Sequence, residues 1–144
     1  FGAEYNWPYY EGLLGNANFY NHSPNRSGNV VITAADPSTA GVPSTFAFQD
    51  EWYNLMPFPT NVKFLAKVDV VSLNPPDAKP HPGHPDFFPV AWCQYYDGGK
   101  AWMTTLGHNA HSFTESGGVG AAPFQKLVVQ GVMSVMGLTP FCTQ

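Results

Sequence analysis

Histidine and acidic side chains are the groups in this sequence whose types and positions could do chemistry. His108 follows Leu106 and Gly107 at the end of an apolar run, residues 101–106. A histidine at a strand end can act as a general acid or base, or as a hydrogen-bond donor and acceptor to a sugar. The alternative is a structural histidine bonded to the backbone. His111 could join His108 in a metal pair only if this segment were helical.

An acidic pair precedes two aromatic residues in the run Asp50, Glu51, Trp52 and Tyr53. Adjacent residues of a strand point to opposite faces, so at most one of the two carboxylates would point into a given site. A carboxylate beside an aromatic ring is typical of a sugar-binding wall, because the ring packs on C–H groups and the carboxylate binds hydroxyls. The alternative is a strand-end charge next to core aromatics.

The remaining histidines carry weaker signals. His81 and His84 stand in a proline-rich loop, residues 74–89, where Asp86 is the acidic residue at a fitting spacing for a zinc site. A solvated loop is the expected structure there. The sequence has no GxSxG elbow, no phosphate-binding loop, no GxGxxG before a helix and no CxxC pair.

A β-hairpin is predicted to deliver His108. Residues 90–93 have strand composition, Asp97, Gly98 and Gly99 form a turn signal, and residues 101–106 form the second strand. Further strands are predicted at 29–33, 46–53 and 62–73, a short helix at 8–14, and an irregular connector at 19–24. Residues 123–136 repeat apolar side chains at helical spacing until Gly137 ends the helix. These elements indicate one α/β or α+β domain with a partly antiparallel sheet.

Composition limits the function classes. Charged residues make up 11% of the 144 residues and the net charge is −4, with no basic stripe, which argues against nucleic-acid binding. No apolar run reaches the length of a membrane span, so no membrane partner is predicted. Low lysine and high aromatic content favour an extracellular or periplasmic protein. Cys93 and Cys142 either form a disulfide or are two small buried hydrophobic residues.

The order of several segments resembles the ThuA-like (trehalose-utilisation) family, whose fold is similar to that of class I glutamine amidotransferases. The matching segments are YNWP (5–8), FYNHSP (19–24), DPSTAGVP (36–43), DEWYN (50–54), PVAWCQ (89–94), TTLGH (104–108) and the helix at 124–136. The resemblance implies an α/β/α, amidotransferase-like domain. It covers the C-terminal part of that domain, with a mixed sheet that includes the antiparallel hairpin.

Two departures from the family pattern shape the expected domain organisation. Family members carry an N-terminal half with the first parallel strands and a glycine-histidine turn, and this half has no counterpart in the sequence. Phe88 stands where the family often has a histidine before the proline of the PVAW strand. We therefore expect residues 1–144 to form a single ThuA-like domain that lacks its N-terminal half.

The resemblance also implies a site at one edge of the sheet. His108 matches the amidotransferase histidine and would be a general acid or base, with Glu51 as a second catalytic carboxylate and His22, Trp52, Tyr53 and Asp50 binding the substrate. The expected function is acid/base chemistry on disaccharides or keto-sugars, without a cofactor. A zinc site using His22, His108 or His84 is an alternative. So is a non-catalytic sugar-binding or assembly module completed by a partner chain or as a homo-oligomer.

Overall fold

The computed structural model describes residues 7–76, 87–114 and 117–143. His81, His84 and Asp86, the proline-rich candidates for a zinc site, lie outside these ranges. The helices are α1 (Pro8–Leu13) and α2 (Ala121–Val135), with two short 3₁₀ turns at Pro37–Thr39 and Ala110–Phe113. The strands are β1 (Phe19–His22), β2 (Arg26–Ile32), β3 (Thr45–Asp50), β4 (Tyr53–Leu55), β5 (Lys63–Asn74), β6 (Phe88–Tyr96) and β7 (Gly99–Thr104).

The strands form a five-stranded sheet with the order β3-β2-β5-β6-β7 and a separate two-stranded sheet of β1 and β4. Every strand pairing in the described ranges is antiparallel. The mixed sheet that the family resemblance implied is therefore not seen in this part of the chain. Parallel neighbours need a crossover of a dozen or more residues, usually a helix, and here both helices lie outside the run of strands from β1 to β7.

The predicted hairpin is confirmed and explains why β6 and β7 are so regular. Asp97 and Gly98 both have positive φ, 50° and 74°, as the central residues of a two-residue type I′ turn require. The ladder then runs without interruption from Tyr96 opposite Gly99 to Ala91 opposite Thr104. β6 is buried over residues 88–94, so it is the strand with a core on both sides.

The middle of β6 contacts two different apolar clusters, because Trp92 belongs to one and its neighbours Ala91 and Cys93 belong to the other, which places one core on each face of the sheet at this point. Ala91 and Cys93 pack in the larger cluster with Phe124 and Leu127 of α2. Trp92 packs in the smaller cluster with Leu14, which follows α1. Two helices therefore cover both faces in part, and the α1 side is the thinner cover.

Close packing of α2 depends on a residue without a side chain. A Cβ atom at Gly131 would lie 2.5 Å from the Trp102 ring of β7, so only glycine lets the helix approach the strand this closely. A disulfide between Cys93 and Cys142 then ties β6 to the segment after α2, with a Cα–Cα separation of 5.8 Å. The disulfide is thus confirmed over the alternative of two free thiols.

Candidate functional site

The carboxylate of Glu51 lies between two histidines. Its Oε2 atom is 3.3 Å from Nδ1 of His22 and 3.3 Å from Nδ1 of His108. The Glu51 side chain is 21% exposed, and those of His22 and His108 are 43% and 45% exposed. The structure therefore brings together three predicted site residues from three separate parts of the chain, at a surface that solvent can reach.

The two-stranded sheet positions His22 against the segment that carries Glu51. His22 is the last residue of β1 and pairs with Tyr53, the first residue of β4. The next residue, Ser23, makes two hydrogen bonds to Trp52. Its N–H donates to the Trp52 carbonyl, and its hydroxyl oxygen accepts from the Trp52 N–H, both at 3.0 Å. These reciprocal bonds fix the end of β1 to residues 52 and 53, and therefore fix His22 beside Glu51.

A buried aspartate positions His108. Asp50 is fully buried at the end of β3, and its carboxylate accepts three backbone hydrogen bonds. Oδ2 accepts from Gly107 N–H at 2.7 Å, while Oδ1 accepts from Glu51 N–H at 2.9 Å and from His108 N–H at 3.2 Å. The Asp50 side chain therefore joins the loop after β7, which carries His108, to the backbone of Glu51. Burial raises the pKa of Asp50, and the three N–H bonds oppose that rise in part.

Gly107 meets two requirements of this loop. Its φ of 102° lies in the region that disfavours residues with a side chain. A Cβ atom there would also lie 2.8 Å from the Phe113 ring and 2.9 Å from the Phe124 ring. The chain therefore bends sharply at Gly107, and this bend lets the amides of Gly107 and His108 both donate to Asp50.

His108 lies on the wall shared by two clefts. The first, of about 290 Å³, is lined by aromatic, apolar and hydroxyl side chains, including Tyr10, Tyr53, Thr104 and Thr105. The second, of about 330 Å³, contains Glu51 and is lined by Asn25, Gln49, Asn109, His111 and Ser112. Both volumes are near the lower end of the range for small-molecule pockets, roughly 300–1,000 Å³.

The other predicted site residues are divided between cleft and core. Tyr53 lines the first cleft and packs edge-on against Phe19, with ring centroids 5.0 Å apart. Trp52 is buried, and its indole N–H donates to the Arg26 carbonyl at 3.1 Å. Asp50 is buried as well. Trp52 and Asp50, which were predicted to bind the substrate, are therefore placed in the core, where a ligand in either cleft would not contact them directly.

The hydrogen-bond partners of His22 favour one tautomer of its ring. Nδ1 of His22 is 2.9 Å from the Ser23 carbonyl oxygen, which can only accept, so Nδ1 carries the proton in that bond. Glu51 is likewise an acceptor facing Nδ1 of His108. With Nδ1 protonated, Nε2 of a neutral imidazole is the basic nitrogen, which is the form that a general base needs.

A metal centre receives no support from the described residues. Among residues 7–76, 87–114 and 117–143, no three His, Cys, Asp or Glu side chains are grouped so that they could hold a metal ion. The same part of the chain contains no helix long and apolar enough to cross a membrane.

Several residues of the site carry no motif that sequence reasoning could have used. Tyr10, Gln49 and Asn109 line the clefts but are ordinary residues in their local context. Ser23 and Thr105 lie in the matching segments FYNHSP and TTLGH, which give no sign of their roles in the site. The burial of Asp50 did have a signal. Phe46 and Phe48 alternate inward along β3, and the same period-two pattern places residue 50 on the core face.

Comparison with known proteins identifies the family. The family described as trehalose utilisation (ThuA) matches residues 1–133, so the chain belongs to the ThuA family. The fold is similar to the crystal structure of a putative ThuA-like protein from Bacteroides uniformis, with a TM-score of 0.64 and 19% identity. A putative ThuA-like protein from Parabacteroides merdae gives a TM-score of 0.58, also at 19% identity.

The chain spans about half the length of these two structures. The alignment covers 90% of this chain and 51% of the Bacteroides uniformis chain, and 86% of this chain and 42% of the Parabacteroides merdae chain. Among curated proteins, none matches the chain. The comparisons therefore define the family and the fold, while the reaction has to be argued from the site.

Proposed function

We propose that this protein acts on a carbohydrate by acid/base chemistry, with His108 as the group that transfers the proton. The observation that carries the proposal is the position of the Glu51 carboxylate, which lines a cleft with His108 and lies 3.3 Å from Nδ1 of both His22 and His108. A histidine whose Nδ1 faces a carboxylate has a defined orientation and a defined basic nitrogen, which are the requirements for proton transfer at Nε2.

The first cleft supports a sugar as the ligand. Aromatic rings such as Tyr10 and Tyr53 can pack on the C–H face of a sugar ring, and threonine hydroxyls can bind its hydroxyl groups. The family description, trehalose utilisation, agrees with a disaccharide or its keto derivative as the substrate class. Within this proposal His22, Glu51 and Tyr53 orient the substrate and His108.

We also infer that the chain is the C-terminal part of an amidotransferase-like α/β/α domain. Its length, about half that of the two ThuA-like structures, supports a partial domain. The choice of the C-terminal part rests on the family segments matched in the sequence. An exported, extracellular or periplasmic location is proposed as well. The disulfide supports it, because such bonds persist in oxidising compartments.

The test is turnover by matched variants of the natural, full-length protein. Trehalose, other disaccharides and their keto derivatives would be incubated with wild-type protein and with the variants His108→Ala and Glu51→Gln, and sugar products would be followed by chromatography. Loss of general acid/base catalysis reduces turnover by about 10²–10⁴-fold, which is the effect expected for His108→Ala. Val71→Ala, at a residue that is 92% exposed and outside both clefts, is the control. Unchanged turnover by both site variants would refute the proposal.

A second candidate function is a non-catalytic sugar-binding or assembly module completed by another chain or by a further segment. The outward face of α2 favours it, because Val129, Val132 and Met136 are exposed there at helical spacing. The occupant we propose is the remainder of a ThuA-like domain, since the chain spans only about half of one. Intact mass of the natural protein and of whatever co-purifies with it tests this. A monomer of 15.7 kDa alone would contradict it.

A further inference from the structure

The two clefts that meet at His108 differ in chemistry. The first is aromatic, with threonine hydroxyls, whereas the second contains three carboxamide side chains, Asn25, Gln49 and Asn109, together with Glu51 and two histidines. Carboxamides both donate and accept hydrogen bonds, which is what a neutral, hydroxyl-rich group requires. The Glu51 carboxylate on the same wall would repel an anion. The second cleft is therefore matched to an uncharged polyol unit.

Two of these carboxamides are already oriented. Gln49 Nε2 donates to Asn25 Oδ1 at 2.8 Å, which directs Gln49 Oε1 and Asn25 Nδ2 to other partners. Asn109 is the residue before the 3₁₀ turn Ala110–Phe113, yet its side chain makes no capping bond there. A ligand in the second cleft would thus find one acceptor and one donor side by side, and a further amide close to His108.

We propose that the second cleft binds a second sugar unit, so that the linkage between two units lies beside His108 and Glu51. The substrate is then a molecule with one neutral, hydroxylated ring on each side of His108, and Gln49 and Asn109 select for the second ring. The inference rests on the proposed function for the chemistry at His108. Occupancy of the second cleft is a separate, measurable property.

The test compares trehalose with glucose on the protein carrying His108→Ala, which prevents turnover during the measurement. In ¹H–¹⁵N spectra, trehalose should shift the side-chain amide signals of Gln49 and Asn109 together with the backbone signals of the first cleft, whereas glucose, a single ring, should shift the backbone signals of the aromatic first cleft at a lower concentration than those two side-chain amides. Gln49→Ala and Asn109→Ala should each weaken trehalose binding by about 2- to 12-fold, the equivalent of one hydrogen bond of 0.5–1.5 kcal/mol, and leave glucose binding unchanged.

Gln130→Ala on α2 removes a carboxamide outside both clefts and should leave both affinities unchanged. Equal losses of trehalose and glucose binding in the Gln49 and Asn109 variants would overturn the proposal, as would the absence of trehalose binding at millimolar concentration. If trehalose occupies the second cleft as expected but His108→Ala and Glu51→Gln both turn it over at the wild-type rate, the subsite stands and the proposed function fails.

Discussion

Replacement of Asp50 by asparagine should loosen the loop that carries His108 without removing any side-chain volume. Asparagine can still accept from the Glu51 and His108 amides through its oxygen. Its NH₂ group, however, would face the Gly107 N–H, which now donates to Oδ2 at 2.7 Å. One buried donor then loses its acceptor, which costs about 1–3 kcal/mol. We expect the free energy of unfolding to fall by that amount.

Urea unfolding at neutral pH, followed by tryptophan fluorescence, measures the effect, and hydrogen exchange locates it. The amide protons of Gly107 and His108 should exchange faster in Asp50→Asn. Asp97→Asn, in the exposed hairpin turn where asparagine is equally favourable, is the matched control and should change stability by less than about 0.5 kcal/mol. A variant as stable as wild type, with unchanged exchange at both amides, would refute the assigned role of Asp50.

The pH dependence of stability gives a second readout for the same residue. Burial raises the pKa of Asp50 above its ordinary value of 3.8, so the folded state binds this proton more tightly than the unfolded state does. Protonation of Asp50 should therefore stabilise the wild-type protein. This contribution is fully present below pH 3.8 and is lost as the pH rises through the raised pKa. Asp50→Asn lacks this titrating group. The difference in unfolding free energy between wild type and Asp50→Asn should therefore become smaller as the pH rises from 3.8 through the raised pKa of Asp50.

Three further predictions concern the stability of the fold. Gly107→Ala combines positive φ with a clash against two phenylalanine rings, so it should lower thermal stability by more than the roughly 1 kcal/mol of a strained φ alone. The Cys93–Cys142 disulfide joins residues 49 positions apart, so its reduction should lower the free energy of unfolding, measured with a chemical denaturant, by about 4 kcal/mol. Unchanged stability of the reduced protein with both thiols alkylated would contradict this. Burial acts to raise the pKa of Asp36, but hydrogen bonds from Ser38 and Lys63 lower it below its ordinary value of 3.8. The ionised Asp36 should therefore stabilise the fold at pH values above 3.8, and this stabilisation should be lost as the pH falls through the lowered pKa. Lys63→Met should weaken that acid sensitivity in pH-dependent unfolding.

Local signals in the sequence were sufficient for the hairpin and for α2. Asp97-Gly98 specifies a turn through backbone conformations that few residues adopt, and α2 repeats apolar side chains at a spacing that only a helix places on one face. The strand predicted at residues 62–73 is likewise present as β5. In each case the information lies within a dozen residues, so no knowledge of distant partners was needed.

β1 was missed because its pattern is decided by a distant partner. Its sequence, FYNH, has no alternation of apolar and polar residues, and three of its four residues are exposed. It is a strand because β4, about thirty residues later, pairs with it from Phe19 opposite Leu55 to His22 opposite Tyr53. The predicted irregular connector at 19–24 was therefore wrong, since strand propensity depends strongly on context.

The same dependence on distant pairing explains why the candidate site could be foreseen as a set of residues and not as an arrangement. Glu51 and His108 are recognisable from the sequence by their chemistry, yet the contact between them exists because the backbone N–H groups of both donate to the Asp50 carboxylate. A carboxylate that accepts backbone N–H groups from two segments acts as a structural fixing point for whatever those segments carry. The two acidic residues therefore have different roles at the end of β3. Asp50, the last residue of the strand, is buried and fixes the loop that carries His108, and Glu51, the residue after the strand, contacts both histidines.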